Sequence, residues 1–127
     1  MDEQVRHALD HGRVIDITTF GRASGQPRRI EIWFHNIDGR IYITGTPGRR
    51  GWYANLRAKP SFTFHIKEGL QADLPARAVP IEDAQARRAI LKRICENVGR
   101  SADLDLWVAQ SPLVEVEFGD AEAIRST

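Results

Sequence analysis

The chain has 127 residues, 42% of them hydrophobic and 28% charged, and its 18 lysines and arginines against 17 acidic residues leave a formal charge of +1. That length supports one domain with its own core, expected over residues 1–127. The near neutrality speaks against a general nucleic-acid binder, so any anion site must come from local clustering of charge.

Cys95 is the sole cysteine, which excludes an intramolecular disulfide and speaks against a cysteine-based metal cluster. Its place in an apolar helical pattern reads as a buried structural thiol. The stretch MDEQVRHALDHG lacks the apolar core of a signal peptide. No apolar run approaches the ~20 residues of a membrane span. A cytoplasmic protein without a membrane span is the expectation.

Residues 2–11 predict a short helix with Val5, Ala8 and Leu9 on one face and Gly12 as its stop. VIDITTF, 14–20, is rich in β-branched residues and predicts a first strand. GRASGQPRR, 21–29, follows as a loop. In RRIEIWFHN, Ile30, Ile32 and Phe34 alternate with Glu31, Trp33 and His35, the period of a second strand with two unlike faces. Asn36-Ile37-Asp38-Gly39 has the chemistry of a tight hairpin turn, and RIYITG continues as strand three. TPGRRG breaks the pattern, and GWYANLRA predicts a short helix stopped by Pro60. SFTFHIK, with Phe62, Phe64 and Ile66 on one face, and the weaker alternation from Leu70 to Val79 are strands four and five. Pro80–Val98 carries the apolar stripe Ile90, Leu91, Ile94, Cys95, Val98 and predicts the one long helix, with Gly99 as its stop. A short helical turn is expected over 102–108, and LVEVEF, 113–118, is strand six.

Strands this close together do not fit a doubly wound parallel sheet. They predict a mainly β (α+β) protein: a small six-stranded, mostly antiparallel, partly open barrel with one long and two short helices.

His7, His11, His35 and His65 have no metal-ligand spacing, and no nucleophile elbow, Walker lysine or dinucleotide fingerprint is present. The informative residues are basic. Arg22, Arg28 and Arg29 lie in one glycine-bearing loop, Arg49 and Arg50 in another that runs straight into a helix. Glycine lets backbone N–H groups approach an anion, a helix N-terminus favours one, and arginine offers forked donors to phosphate or carboxylate. The same arginines read equally well as solvated surface charge. Trp52 and Tyr53 open the helix beside the second loop, and Trp33 stands on the outer face of strand two. Stacking of a ring-shaped ligand and plugging of the barrel end are both open to Trp52.

Together, ITTFGRASGQPRR and GWYANLRAKP resemble the deazaflavin-dependent nitroreductase family, whose members join a TTTGR-type segment and a following Pro-Arg to a WYxNLxAxP helix. The resemblance runs from about Val14 to Lys67 and, more loosely, to Phe118. It implies the split β-barrel of flavin-binding, pyridoxamine-phosphate-oxidase-like proteins. It also implies the cofactor F420, whose tail carries a phosphate and a polyglutamate chain. By motif position, Arg22, Ser24, Gly25, Pro27 and Arg28 would line the tail and phosphate. Thr46, Gly48, Trp52 and Asn55 would lie near the ring or its ribityl linker. The family often has lysine where Pro47 stands, and the loop here is shorter, so Arg49 or Arg50 would replace lost donors. The tyrosine-rich segment that shapes the substrate pocket of the family's nitroreductases is not evident in ENVGRSADLDLWVAQ.

The expected activity is hydride transfer from reduced F420 to a small electron-poor acceptor: a quinone, an enone or a nitro compound. FMN in the same fold, or a flavin-binding protein without turnover, is the alternative. Tyr53, His35 and His65 are candidates to assist protonation. A homodimer is a candidate assembly.

Overall fold

A computed structural model describes residues 2–118. Asp2 caps the first helix, α1 (Glu3–His11), its carboxylate accepting from the backbone N–H groups of Gln4 and Val5. The strands are β1 (Val14–Phe20), β2 (Pro27–Ile37), β3 (Arg40–Thr44), β4 (Ser61–Ile66), β5 (Ala72–Pro80) and β6 (Leu113–Phe118). Between them lie α2 (Gly51–Ala58), α3 (Ala84–Val98), a 3-10 turn at Ser101–Asp103 and α4 (Leu104–Gln110).

The strands run in the order β1-β2-β3-β6-β5-β4, and β4 pairs back onto β1. Every neighbouring pair is antiparallel. The barrel is therefore closed rather than partly open. Closure needs β1 to be apolar on its inner face and able to hydrogen-bond on both edges. Ile15 and Ile17 meet the first condition by pairing with Ile32 and Ile30 on one side and with Ile66 and Phe64 on the other.

Alternation fills the interior as expected. Phe34, Ile41, Ile43, Phe62, Phe64, Ile66, Leu74, Val114 and Val116 are all buried. Phe64 lies at the centre, edge-on to Phe34 and Phe118 with ring centroids 5.6 and 5.0 Å away. Val5, Ala8 and Leu9 of α1 and Leu56 of α2 join the same core. A second apolar cluster forms where α3 and α4 pack on the outer side of the β3–β6 pair, through Tyr42, Leu91, Ile94, Cys95, Trp107 and Leu113. Burial pushes the Cys95 thiol above its ordinary pKa, so it stays protonated and inert.

Two expected boundaries shift. The long helix starts at Ala84, not Pro80, because Pro80 ends β5 against Val114 and the Asp83 carboxylate caps Ala86 N–H at 2.9 Å. The turn expected at 102–108 becomes a third short helix, α4, held by burial of Trp107. Gly99, at φ 75°, ends α3 where the left-handed conformation favours glycine.

Arg87 ties this helical layer together by donating to the carbonyls of Ile81, Val108 and Ser111 at 2.6–2.9 Å. On the opposite, polar face of the barrel, His65 Nδ1 donates to Asp73 at 2.7 Å while Nε2 lies 2.7 Å from the Thr18 hydroxyl, linking β5, β4 and β1. Beside it, Asp16 accepts from Arg29 at 3.0 Å and Lys67 at 2.7 Å. The hydrogen bond from Lys67, seconded by that from Arg29 and by their charge, holds the Asp16 carboxyl below the usual range.

Removing the central ring should be costly. Phe64→Ala is expected to destabilise the protein by about 3–5 kcal/mol, since the ring is fully buried and its loss leaves a cavity between Phe34 and Phe118. The midpoint of urea denaturation measures it.

Candidate functional site

At the barrel end where β1 finishes, the loop after β1 folds back on itself. Gly21 N–H donates to Gln26 carbonyl, Gly25 N–H donates to Gly21 carbonyl, and the Ser24 hydroxyl accepts from Gln26 N–H. Gly25 has φ 72°, where glycine is favoured, and a Cβ on Gly21 would come within 2.5 Å of Ser24 Oγ and push it off its bond to Gln26. Ser24 and Gly25 thus shape the loop, and Pro27 begins β2 opposite Phe20.

Asn55 of α2 reaches across to this loop. Its Oδ1 accepts from both the backbone N–H and the guanidinium of Arg22, at 3.2 and 3.0 Å, and its Nδ2 donates to Thr19 at 3.4 Å. Asn55 and Thr19 are only 6% and 2% exposed. One buried amide therefore fixes the loop, the end of β1 and the helix relative to one another.

The space enclosed is a cleft of about 570 Å³. Arg22, Ser24, Arg28, Trp52 and Asn55 line it together with Thr19, Gly21, Ile30 and Gly51, and its lining contains no acidic side chain. Arg28 makes no side-chain hydrogen bond among the described residues, so its donors remain available. The N-terminus of α2 borders the cleft through Gly51 and Trp52 and has no side-chain cap, which leaves its first N–H groups free to face an anion. The Lys59 ammonium approaches the same loop outside the cleft's lining, 3.4 Å from where a Cβ of Gly25 would stand. Such a cleft has the size of a small-molecule site, with positive charge around an apolar wall of Ile30 and Trp52.

The second basic loop is divided differently from the expectation. Arg50 is spent as a brace, donating to the carbonyl and hydroxyl of Thr46 at 2.9 and 2.6 Å and to Arg49 carbonyl at 3.0 Å. Thr46 is its acceptor. Gly48 and Arg49 line a separate cleft with Tyr53. Trp33, 47% exposed, also stands apart from Trp52: it lies under the Arg13 guanidinium, 5.5 Å from the ring centroid. Arg29 turns outward onto Asp16, as strand alternation predicts. Thr19 and Ile30 were not among the expected site residues. Both read as plain strand residues.

His35 bears on proton transfer. Burial, aided by the charge of Arg13, lowers its pKa to about 4, so it is neutral near pH 7 and a poor general acid. The unfolded chain takes up this proton below about 6.5 and the folded protein only below about 4. Stability is accordingly expected to rise with pH across that window, and His35→Gln should flatten the slope in urea titrations run at stepped pH.

Residues 2–116 match the F420H(2)-dependent quinone reductase family model. Among solved structures, an F420-H2 dependent reductase, FDR-A, is 21% identical, with a TM-score of 0.64 over 84% of this chain and 95% of that one. An FAD-binding protein from Mesorhizobium loti is 15% identical, with a TM-score of 0.69 over 94% and 91% of the two chains. A chain described as a domain-swapped dimer is 20% identical, with a TM-score of 0.64 over 84% and 81%. At these identities the structural likeness speaks for the fold, whereas the family match spans nearly the whole chain and carries the F420 cofactor and reductase chemistry with it. The chain belongs to the F420H(2)-dependent quinone reductase family.

Proposed function

We propose that the cleft at the end of β1 holds the phosphate-bearing tail of F420, and that the protein passes hydride from the reduced cofactor to a small electron-poor acceptor, with quinones favoured over enones and nitro compounds. The observation that carries this reading is the pair Arg22 and Arg28, facing a cleft without a carboxylate at the uncapped start of α2.

Reduced F420, when bound, supplies the hydride; the chain supplies position and electrostatics. Arg28 offers unspent forked donors to a phosphate oxygen. Arg22 is aimed by Asn55, so little side-chain entropy remains to be lost when it meets the same group. Free N–H groups at Gly51 and Trp52 add the helix-end field. Trp52 and Ile30 give a flat apolar wall that suits a ring and keeps water from it. Ser24, Gly25 and Pro27 act by shaping the loop, and Thr46 and Arg50 by bracing the neighbouring one. A second copy of the chain is the favoured macromolecular partner, on the ground that the fold also occurs as a domain-swapped dimer.

Titration with F420 and with FMN, followed by cofactor fluorescence, tests the reading. Saturable F420 binding is expected, with Arg28→Ala weakening it by about 1.5–3 kcal/mol, the worth of a charge-assisted hydrogen bond. Arg29→Ala, whose guanidinium is held on Asp16, should leave the Kd unchanged. An unaltered Kd in Arg28→Ala removes that residue from the site, and a preference for FMN overturns the cofactor assignment. Turnover of menadione with reduced F420 separates a reductase from a binder.

A further inference from the structure

A cavity of about 570 Å³ lies between α1 and the connection from β4 to β5. Glu3, His7, His11 and Glu68 are among its lining residues, none of which belongs to the cleft at the end of β1. Glu3, His7 and His11 are spaced by four along α1 and share one stripe of its exposed side. The opposite side of the helix sends Val5, Ala8 and Leu9 into the core. In the linear sequence the histidines carried no metal signal, but the helix makes His7 and His11 neighbours.

The two imidazoles lie face to face, with ring centroids 4.2 Å apart and planes 29° from parallel. His11 Nδ1 is 3.0 Å from the His7 carbonyl oxygen. A carbonyl only accepts, so Nδ1 carries the proton and donates, which leaves the lone pair on Nε2. A metal-ligating histidine is held in the same way, its second nitrogen tied to a carbonyl or carboxylate that fixes the tautomer. The His7 ring makes no hydrogen bond among the described residues, so its nitrogens are uncommitted.

Negative charge stands beside the pair. Glu68 Oε1 accepts from the backbone N–H groups of Val14 and Arg13 at 2.8 and 2.7 Å, which holds its carboxyl below the usual range and anchors it at the cavity. Two imidazoles flanked by carboxylates suit a late first-row divalent cation, whereas Mg²⁺ and Ca²⁺ call for more oxygen ligands. No group of three His, Cys, Asp or Glu side chains among the described residues is placed to enclose a metal, so the ion is held by two imidazoles and water completes its shell.

We infer that His7 and His11 form a chelating site for a divalent transition-metal cation such as Zn²⁺, with Glu3 and Glu68 lending it negative charge. Bridging two turns of α1, the ion fastens a nine-residue helix that is too short to be stable on its own. The site stands apart from the cofactor and needs none of its residues.

The test is a calorimetric titration of Zn²⁺ into protein free of any histidine tag, with the imidazole resonances followed by NMR. Wild type is expected to bind a single Zn²⁺ saturably, the His7 and His11 signals moving together. His7→Gln and His11→Gln should each weaken binding at least about tenfold, because either leaves a lone imidazole. In EDTA both variants should melt with wild type, whereas Zn²⁺ should raise the Tm of wild type alone. Absence of saturable binding by wild type, an unchanged Kd in both variants, or a loss in only one of them overturns the chelate.

Discussion

The fold depends on β1 pairing along both of its edges. Val14–Phe20 must match β2 on one side and β4 on the other while presenting Ile15 and Ile17 to the interior. A one-residue slip would turn both isoleucines out and bring Asp16 and Thr18 in, so register is set by the core. With register set, the polar face follows. Asp16 arrives between Arg29 and Lys67, and Thr18 arrives beside His65. Closure also removes the sheet edges that would otherwise be open to another chain.

The same strand delivers Thr19 to the barrel end, and this is how packing is converted into a site. Asn55 accepts twice from Arg22 and donates to Thr19, so α2 cannot shift without breaking buried hydrogen bonds. Two arginines that the sequence places side by side end with opposite fates. Arg28 lies on the side of β2 that opens into the cleft, whereas Arg29 lies on the other and is neutralised by Asp16. In the second loop, Arg50 is consumed locally and Arg49 has no side-chain partner among the described residues. What a ligand could meet in either cleft is set by which guanidinium groups remain unspent, and that differs from how many the loops contain.

Much of this was legible in the chain. Period-two alternation in 30–35 and 62–66 marks inward residues because a strand has only two faces, and the turn at 36–39 permits only a close antiparallel return. The core therefore followed from local pattern. The grouping at the candidate site was legible in part: Arg22, Arg28, Trp52 and Asn55 line one cleft, whereas Gly48 and Arg49 line another. Local pattern does not carry across α2. Helical geometry alone sends the adjacent residues Trp52 and Tyr53 to different clefts. Trp33 is separated from Trp52 for the equivalent reason in a strand, since it stands on the outer face of β2 beneath Arg13.

By itself, the sequence determined the six strands, the faces they bury, the helix-stopping role of Gly99 and the presence of two basic, glycine-bearing loops. Each of these is a matter of neighbours a few residues apart, where side-chain period and backbone conformation govern. Only the tertiary structure decided that the barrel closes, that Asn55 aims Arg22, and that Thr19 and Ile30 border the first cleft. It alone left Arg28 and Arg49 without side-chain partners among the described residues, in two separate clefts. Those outcomes depend on groups brought together from distant parts of the chain, Thr18 and His65 being 47 residues apart and Arg22 and Asn55 33. No local rule sees such pairings before the chain has folded.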